Sequence, residues 1–543
     1  MGEIKKINPN EKIDKNWYLI GIDLGTTNSV ISYFDFDKKR PEPIDVSQGF
    51  GKIPIPSVIQ IREEGEKEWV IGEEAYKSMI IYPDTTVMSV KRKMGTTEKI
   101  QLGEDAYLPE ELSAKILKTM IDQVYVLNPN AVIIGVVVSV PYDFDDAAKR
   151  ATVKACQIAE IGDMLIGLIE EPKAAALYYS FMNDFVKDSN IMVFDFGGGT
   201  LDITIFNVLE VNENQVHFKV ISEGGDFYHG GDYIDELILN HLLKIIYDKT
   251  GICKDTIQRE NKAELYLIAR DLKERLSGMN KSRVPITFAI PPFSLEISRK
   301  ELELLSEKFI EKTRQLVLKA LAEGYKGKIM PNEIDRVLLE GGASSMPWVK
   351  EMLVTIFNDY EKIYASNRPA LDISLGAAYY GAIKTNALEH PDILTLGHDV
   401  KFELTVPHDI GFEVDFGNKT EFYPMISRGT PYLLATKSQN FSLLGEKEEN
   451  LDSLNIKILE RMNKEDKLEQ CHLIGEILVQ GIVKRPYGKT KLKIELSIEE
   501  ASGIIKGRIE DMGYPGLYEP SGLKADFSPE RNKITIVRLE RKE

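Results

Sequence analysis

Val193-Phe194-Asp195-Phe196-Gly197-Gly198-Gly199-Thr200-Leu201-Asp202 reads as an apolar strand ending in an acid, a glycine turn, and the start of a second strand carried on by Ile203 and Ile205. Far upstream, Ile20-Gly21-Ile22-Asp23-Leu24-Gly25-Thr26-Thr27-Asn28-Ser29 repeats that chemistry, and Val30 and Ser32 resume its second strand. Two such hairpins facing each other would surround a polyphosphate with backbone N–H groups and threonine hydroxyls. The carboxylates of Asp23 and Asp195 would hold a magnesium ion through its water shell.

A chain of 543 residues is too long for one core, so roughly two to four domains are expected. The formal charge of −17 argues against nucleic acid as a partner, because polyanion binding draws on clustered Lys and Arg. Cys156, Cys253 and Cys471 are the only cysteines, without a CxxC pair, so neither a disulfide framework nor zinc is supported and a reducing cytoplasm fits. The longest apolar run, Ala131 to Val140, is too short to span a bilayer and reads as a buried strand. No membrane association is expected. Met1 to Asn16 is polar and reads as a flexible extension.

From Trp17 to Leu388 strands alternate with helices, the signature of an α/β domain. Helices are expected over Asp146 to Ala159, Lys262 to Leu276, and Arg299 to Leu321. Glu389 to Gly397, bounded by Pro391 and Gly397, reads as an interdomain linker. Beyond it apolar residues alternate, as in Ile410-Phe412-Val414-Phe416 and Leu492-Ile494-Leu496-Ile498, so residues 398 to 511 are expected to form a β-sandwich. Residues 512 to 543, rich in glycine and proline, read as a short tail with one strand-like run, Lys533 to Leu539, and no helical lid.

The motifs resemble the heat-shock-protein-70 (DnaK-type) chaperone family, within the larger group sharing the actin-like ATPase fold. GIDLGTTNS from Gly21 is followed in order by VKRKMG from Val90, VVVSVPYDFDDAAKRAT from Val136, IEEPKAAALYY from Ile169 and VFDFGGGTLDITIF from Val193. Then come GGDFYHGGDYID from Gly224, LLEGGASSMP from Leu338 and LGAAYYGA from Leu375. The resemblance implies a two-lobed α/β actin-like ATPase with a duplicated ribonuclease H-like motif, followed by the β-sandwich. The function it implies is ATP-dependent binding of extended, unfolded polypeptide, switched by slow ATP hydrolysis. ATP or ADP, Mg²⁺ and K⁺ would be the cofactors, with a J-domain co-chaperone and a nucleotide exchange factor as further partners. A nucleotide-sensing peptide-binding module with little turnover is the alternative, and a small-molecule kinase of the same fold a more distant one.

By the same resemblance Lys91 lies against the phosphates, although Lys91-Arg92-Lys93 alone would read as a solvated loop. Glu171, by its sequence only an acid at a helix start, contacts the hydrated magnesium and orients the attacking water. Asp195, Thr200 and Asp202 hold and polarise that water. Gly25, Thr26, Thr27, Asn28, Gly197, Gly198, Gly199, Gly230, Gly231, Gly341, Gly342 and Ala343 contact nucleotide. On the adenosine side Lys273 and Ser277 keep the family pattern, whereas Arg270 stands for its acid, Glu274 for its arginine and Ser345 for a second arginine. Guanidinium planes are thereby removed from both faces of the base, and base contacts are expected to differ. Pro141, Lys149 and the linker residues Asp392, Ile393, Leu394 and Leu396 would couple the domains, with Lys149 in place of the usual arginine. Phe412, Phe441, Leu444, Leu454 and Ile456 match the peptide groove, each also readable as sandwich core.

Overall fold

The computed structural model describes the chain apart from residues 1–5, 9–10, 63–66, 183–187, 213–214, 390–398, 404, 417–418, 444–452, 463, 487, 531–533 and 542–543. The chain divides into two compact units, Met1–Tyr142 with Thr152–Lys401, and Asp143–Ala151 with Phe402–Glu543.

In the first unit two sheets repeat one plan. Trp17–Leu24 hairpins back as Asn28–Asp35, with Val132–Val140 parallel on its other side. Ser189–Phe196 hairpins back as Leu201–Asn212, with Arg336–Glu340 parallel on its other side. The first sheet also carries Leu165–Glu170 and Arg40–Pro43, and the second also carries Ile363–Ala365, Gln215–Asp226 and Asp399–Glu403. The central strands are apolar on both faces because helices cover them: Ile20, Ile22, Val193, Phe194 and Phe196 are all buried.

Small residues set how closely these layers approach. A Cβ on Gly21 would collide with the backbone of the Asp372–Lys384 helix at Ala378 and Ser374. One on Gly376 would collide with the Ala174 carbonyl, where that helix crosses Glu171–Met182. The alanine- and glycine-rich motifs around Ala174 and Ala377 are therefore packing requirements. The Asp146–Ile158 helix and the Arg259–Gly278 helix lie where periodicity placed them. The stretch expected as one helix from Arg299 is two, Arg299–Leu305 and Glu307–Ala322, broken at buried Ser306.

The second unit pairs two five-stranded sheets. One orders Thr420–Ile426, Asp409–Asp415, Ser453–Arg461, His472–Gln480 and Ile534–Arg538. The other orders Lys437–Ser442, Lys491–Ile498, Ile505–Asp511, Leu523–Phe527 and Glu540–Arg541. Alternate residues form its core, among them Leu492, Ile494 and Leu496. Lys149 is buried in this unit, where Asp146 accepts from the Ile505 N–H at 2.8 Å and Arg150 donates to the Ile505 carbonyl at 2.8 Å.

Three expected boundaries are corrected. The tail beyond Asp511 belongs to both sheets: Ala525, Phe527, Val537 and Leu539 join the core, and Asp511 itself accepts from the Ser521 N–H at 3.1 Å while held bidentately by Arg485 at 2.6 and 2.7 Å. The N-terminal extension is not free, because Ile7 is buried and its N–H donates to the Thr385 carbonyl at 2.8 Å. The units divide at Lys401–Phe402, beyond the stretch expected as linker. Asp392, Ile393, Leu394 and Leu396 lie outside the described residues, as does Leu444. Among the described residues no α-helix follows Asp372–Lys384, and no helix is long and apolar enough to cross a membrane.

Candidate nucleotide site

The two glycine turns meet at the ends of their strands. A Cβ on Gly199 would stand 2.6 Å from Thr26 Oγ1, and one on Gly198 would overlap the Thr27 hydroxyl, so glycine is what lets the turns close on each other. The start of the Gly231–Thr250 helix holds the second turn, with the Gly231 N–H donating to the Gly197 carbonyl at 3.0 Å and the Asp232 N–H to the Gly198 carbonyl at 2.8 Å. Gly341 has φ of 75°, and a Cβ there would strike the Phe196 carbonyl, which fixes the third loop against the second strand.

A cavity of about 270 Å³ lies between these elements. It is lined by Asp23, Gly25 to Asn28, Lys91, Glu171, Asp195, Gly197 to Thr200, Gly231, Lys273, Ser277 and Gly341 to Ala343. The remaining predicted residues of the site stand just behind: Asp202 is fully buried and accepts from Thr200 Oγ1 at 2.9 Å, and Gly230 packs on the Gly198 carbonyl.

At the floor, buried Lys91 is paired with Glu171. Burial alone would push the Lys91 ammonium down, but the Glu171 carboxylate and then Asp23 hold it above its ordinary value. Burial, then the Glu171 charge, raises the Asp23 carboxyl to about 6, although Ser139 Oγ donates to it at 2.8 Å. Asp195 is raised well above its ordinary value by burial first and by Glu171 and Asp23 next. Oxygens of Glu171, Asp195 and Asp202 lie within 4.8 Å of one another, and Asp195 Oδ2 has no hydrogen-bond partner among the described residues. Hard oxygen donors crowded around an unsatisfied carboxylate fit a magnesium ion.

On the side expected to face adenosine, a guanidinium lines the cavity after all. Arg270 lies over the Tyr76 ring at 5.1 Å and its Nε donates to Glu274 at 3.4 Å, so one guanidinium lines the cavity from a position one helical turn earlier. Lys273 donates to the Gly231 carbonyl at 3.0 Å and to Asp235 at 2.8 Å. Sequence reasoning missed Ser139, Asp235 and Asp232. Asp232 accepts from Thr27 Oγ1 at 3.1 Å and Ser89 Oγ at 2.9 Å, clasping the first turn to the second. Their signal was available, since Ser139 and Asp232 sit inside quoted motifs, but only the fold shows what faces them.

In the sandwich, Phe412 and Ile456 are closed into the core, while Phe441 and Leu454 are half-buried against it. Phe441 meets Phe412 edge-on at 5.7 Å and Tyr423 at 5.6 Å. A groove reading therefore rests on Phe441 and Leu454 rather than on the two core residues.

Comparison with known proteins adds that the family described as "Hsp70 protein" matches residues 19–515. The chain is 33% identical over 505 residues to the chaperone protein DnaK of Ureaplasma parvum serovar 3, covering 91% of this chain and 76% of that one. It is 32% identical over 496 residues to the chaperone protein DnaK of Mycoplasma mobile, covering 90% and 75%.

Proposed function

The chain belongs to the Hsp70 family and is an ATP-dependent chaperone that hydrolyses ATP, and from that premise we propose how its residues divide the work. The two facing turns, with the Lys91–Glu171 pair between them, carry the reading. Backbone N–H groups of Gly198 and Gly199 and the hydroxyl of Thr26 cradle the phosphates of ATP or ADP, while Thr27 is held beside them by Asp232. Lys91 places a fixed positive charge where negative charge grows as the terminal phosphoryl group leaves. Glu171 and Asp202 orient the attacking water, and Thr200 holds Asp202 in place.

Glu171, Asp195 and Asp202 would hold Mg²⁺, with Asp23 reaching its water shell, and the ion supplies positive charge against the phosphate oxygens. A carboxylate-lined wall also suits K⁺, which exchange for Na⁺ in a turnover assay tests. Gly341 to Ala343, Ser277 and Arg270 face the nucleoside.

The sandwich takes extended polypeptide, with Phe441 and Leu454 offering apolar contact and the strand edges offering backbone hydrogen bonds. Pro141, Lys149 and the linker residues Asp392 to Leu396 make peptide affinity depend on the nucleotide. A J-domain co-chaperone and a nucleotide exchange factor act on the ATPase unit. Three free cysteines, one of them exposed, suit a reducing cytoplasm. Fluorescent-peptide release with ATP and with ADP tests the scheme: release is expected to be faster with ATP, and equal rates would defeat it.

A further inference from the structure

A second cavity, of about 290 Å³, opens in the ATPase unit, with a lining distinct from that of the first. It lies among the Arg40–Pro43 strand, the end of the Glu171–Met182 helix, the end of the Arg336–Glu340 strand and the start of the Asp372–Lys384 helix. Its volume is near the lower limit for small-molecule sites, about 300 Å³, and unlike the first cavity it has no glycine-turn donors in its lining to receive phosphate.

Two carboxyls line it from the buried side. Glu340 is 2% exposed and ends a strand whose preceding residues, Val337, Leu338 and Leu339, are all apolar and buried. Its Oε2 is buried and finds no hydrogen-bond partner among the described residues. Asp372 is 5% exposed at the first turn of its helix. The charges that act on Glu340 are those of Asp372 and Asp195, both negative, so nothing there compensates it. An acid held in an apolar strand end with an unsatisfied oxygen is costly unless something donates to it.

The walls have a matching character. Tyr178 and Tyr364 line the cavity, with Tyr179 edge-on to Tyr364 at 5.1 Å, and aromatic faces attract cations. The lining cations, Arg40 and Arg368, are exposed, and Arg40 is engaged with Glu42 at 2.7 Å. Carboxyl groups are therefore deep, with burial and their mutual repulsion favouring their neutral form until a cation arrives, and aromatic surface surrounds them.

We propose that this cavity is a binding site for a small organic cation, a primary amine or guanidine whose charged end donates to Glu340 and Asp372 while its stem lies against the tyrosine rings. The phosphate cavity is also acidic, so the measurement is made on the full chain with Mg·ADP saturating that site. Agmatine and 1,4-diaminobutane are titrated calorimetrically, with 1,4-butanediol as the uncharged counterpart. Binding at about 1 mM or tighter is expected for the amines and none for the diol. Glu340→Gln keeps the volume and removes the charge, and is expected to weaken binding about tenfold or more. Asp372→Asn is expected to weaken it severalfold, and serves as the second variant should Glu340→Gln fail to fold. Absence of binding by both amines overturns the proposal, as does equal binding of the diol, or affinity unchanged in whichever folded variants are measured.

Discussion

The two larger cavities described in the ATPase unit hold similar volumes and both are lined with buried acids, yet only the first has buried lysines in its lining. In the phosphate cavity, Lys91 stands among Glu171, Asp23 and Asp202, and facing glycine turns leave room for backbone donors. In the second cavity Glu340 and Asp372 face aromatic rings and the arginines stay at the exposed rim. The difference is one of charge order. A fixed buried cation with backbone donors accepts an anion, whereas buried acids behind aromatic walls repel one. Carboxyl count alone does not define a site; what stands beside the carboxyls does.

The largest effect expected from breaking this contrast is on chemistry. Lys91→Ala should lower single-turnover ATP hydrolysis by about 100- to 1,000-fold, in line with removal of one fixed electrostatic donor. Rates equal to the parent protein's would remove Lys91 from the catalytic scheme. Gly198→Ala should come next, because its methyl group would occupy the Thr27 hydroxyl position. Overpacking of this kind costs about 1–3 kcal/mol, and a fluorescent ATP analogue should bind roughly tenfold or more weakly.

Asp372→Asn sharpens the contrast from the other side. Burial raises the Asp372 carboxyl from 3.8 to about 6, against one hydrogen bond with Ser366 that lowers it. The folded protein thus holds a proton that the unfolded chain releases between those values. The group favours folding at pH below 3.8, and that contribution is lost as pH climbs through 6. Asparagine should stabilise the protein at pH 7.5 by on the order of 2 kcal/mol and make no difference near pH 4, read from urea denaturation at both pH values. A stability gain of the same size at pH 4 would contradict the assignment. The smallest effect belongs to Arg270→Ala, which removes a ring contact worth about 0.5–1 kcal/mol beside the base; ADP affinity should fall a few-fold, and no change would place Arg270 outside the nucleoside contact.

Much of this was legible in the chain. Each strand–turn–strand unit declared itself through an acid after an apolar run and glycines that only a tight turn requires. The sandwich showed as strict alternation, because each strand has one face on the core. The tail strands were obscured by Gly513, Pro515, Gly516 and Pro520, which mark a turn before Leu523–Phe527 rather than the end of the domain. Ser306 looked harmless in a helical pattern, yet its N–H donates to the Leu302 carbonyl at 3.0 Å and the Glu303 carbonyl at 3.2 Å where the first helix ends. Glu340 and Asp372 could not be joined from sequence at all. They approach because one ends a strand beside Asp195 and the other begins a helix threaded beneath the first sheet, and pairing across so many residues leaves no periodic trace.

The sandwich draws on Asp143–Ala151 as well as on strands reaching Arg541, so its parts emerge from the ribosome at widely separated moments of translation. Each of its sheets gains its last strand only when Ile534–Arg538 and Glu540–Arg541 are free, while the paired hairpins and parallel neighbours of the ATPase unit are all synthesised earlier. Nascent chains would thus carry a folded nucleotide-binding body trailed by an unclosed β-module with open strand edges, a stage at which this chaperone is itself in need of protection from aggregation.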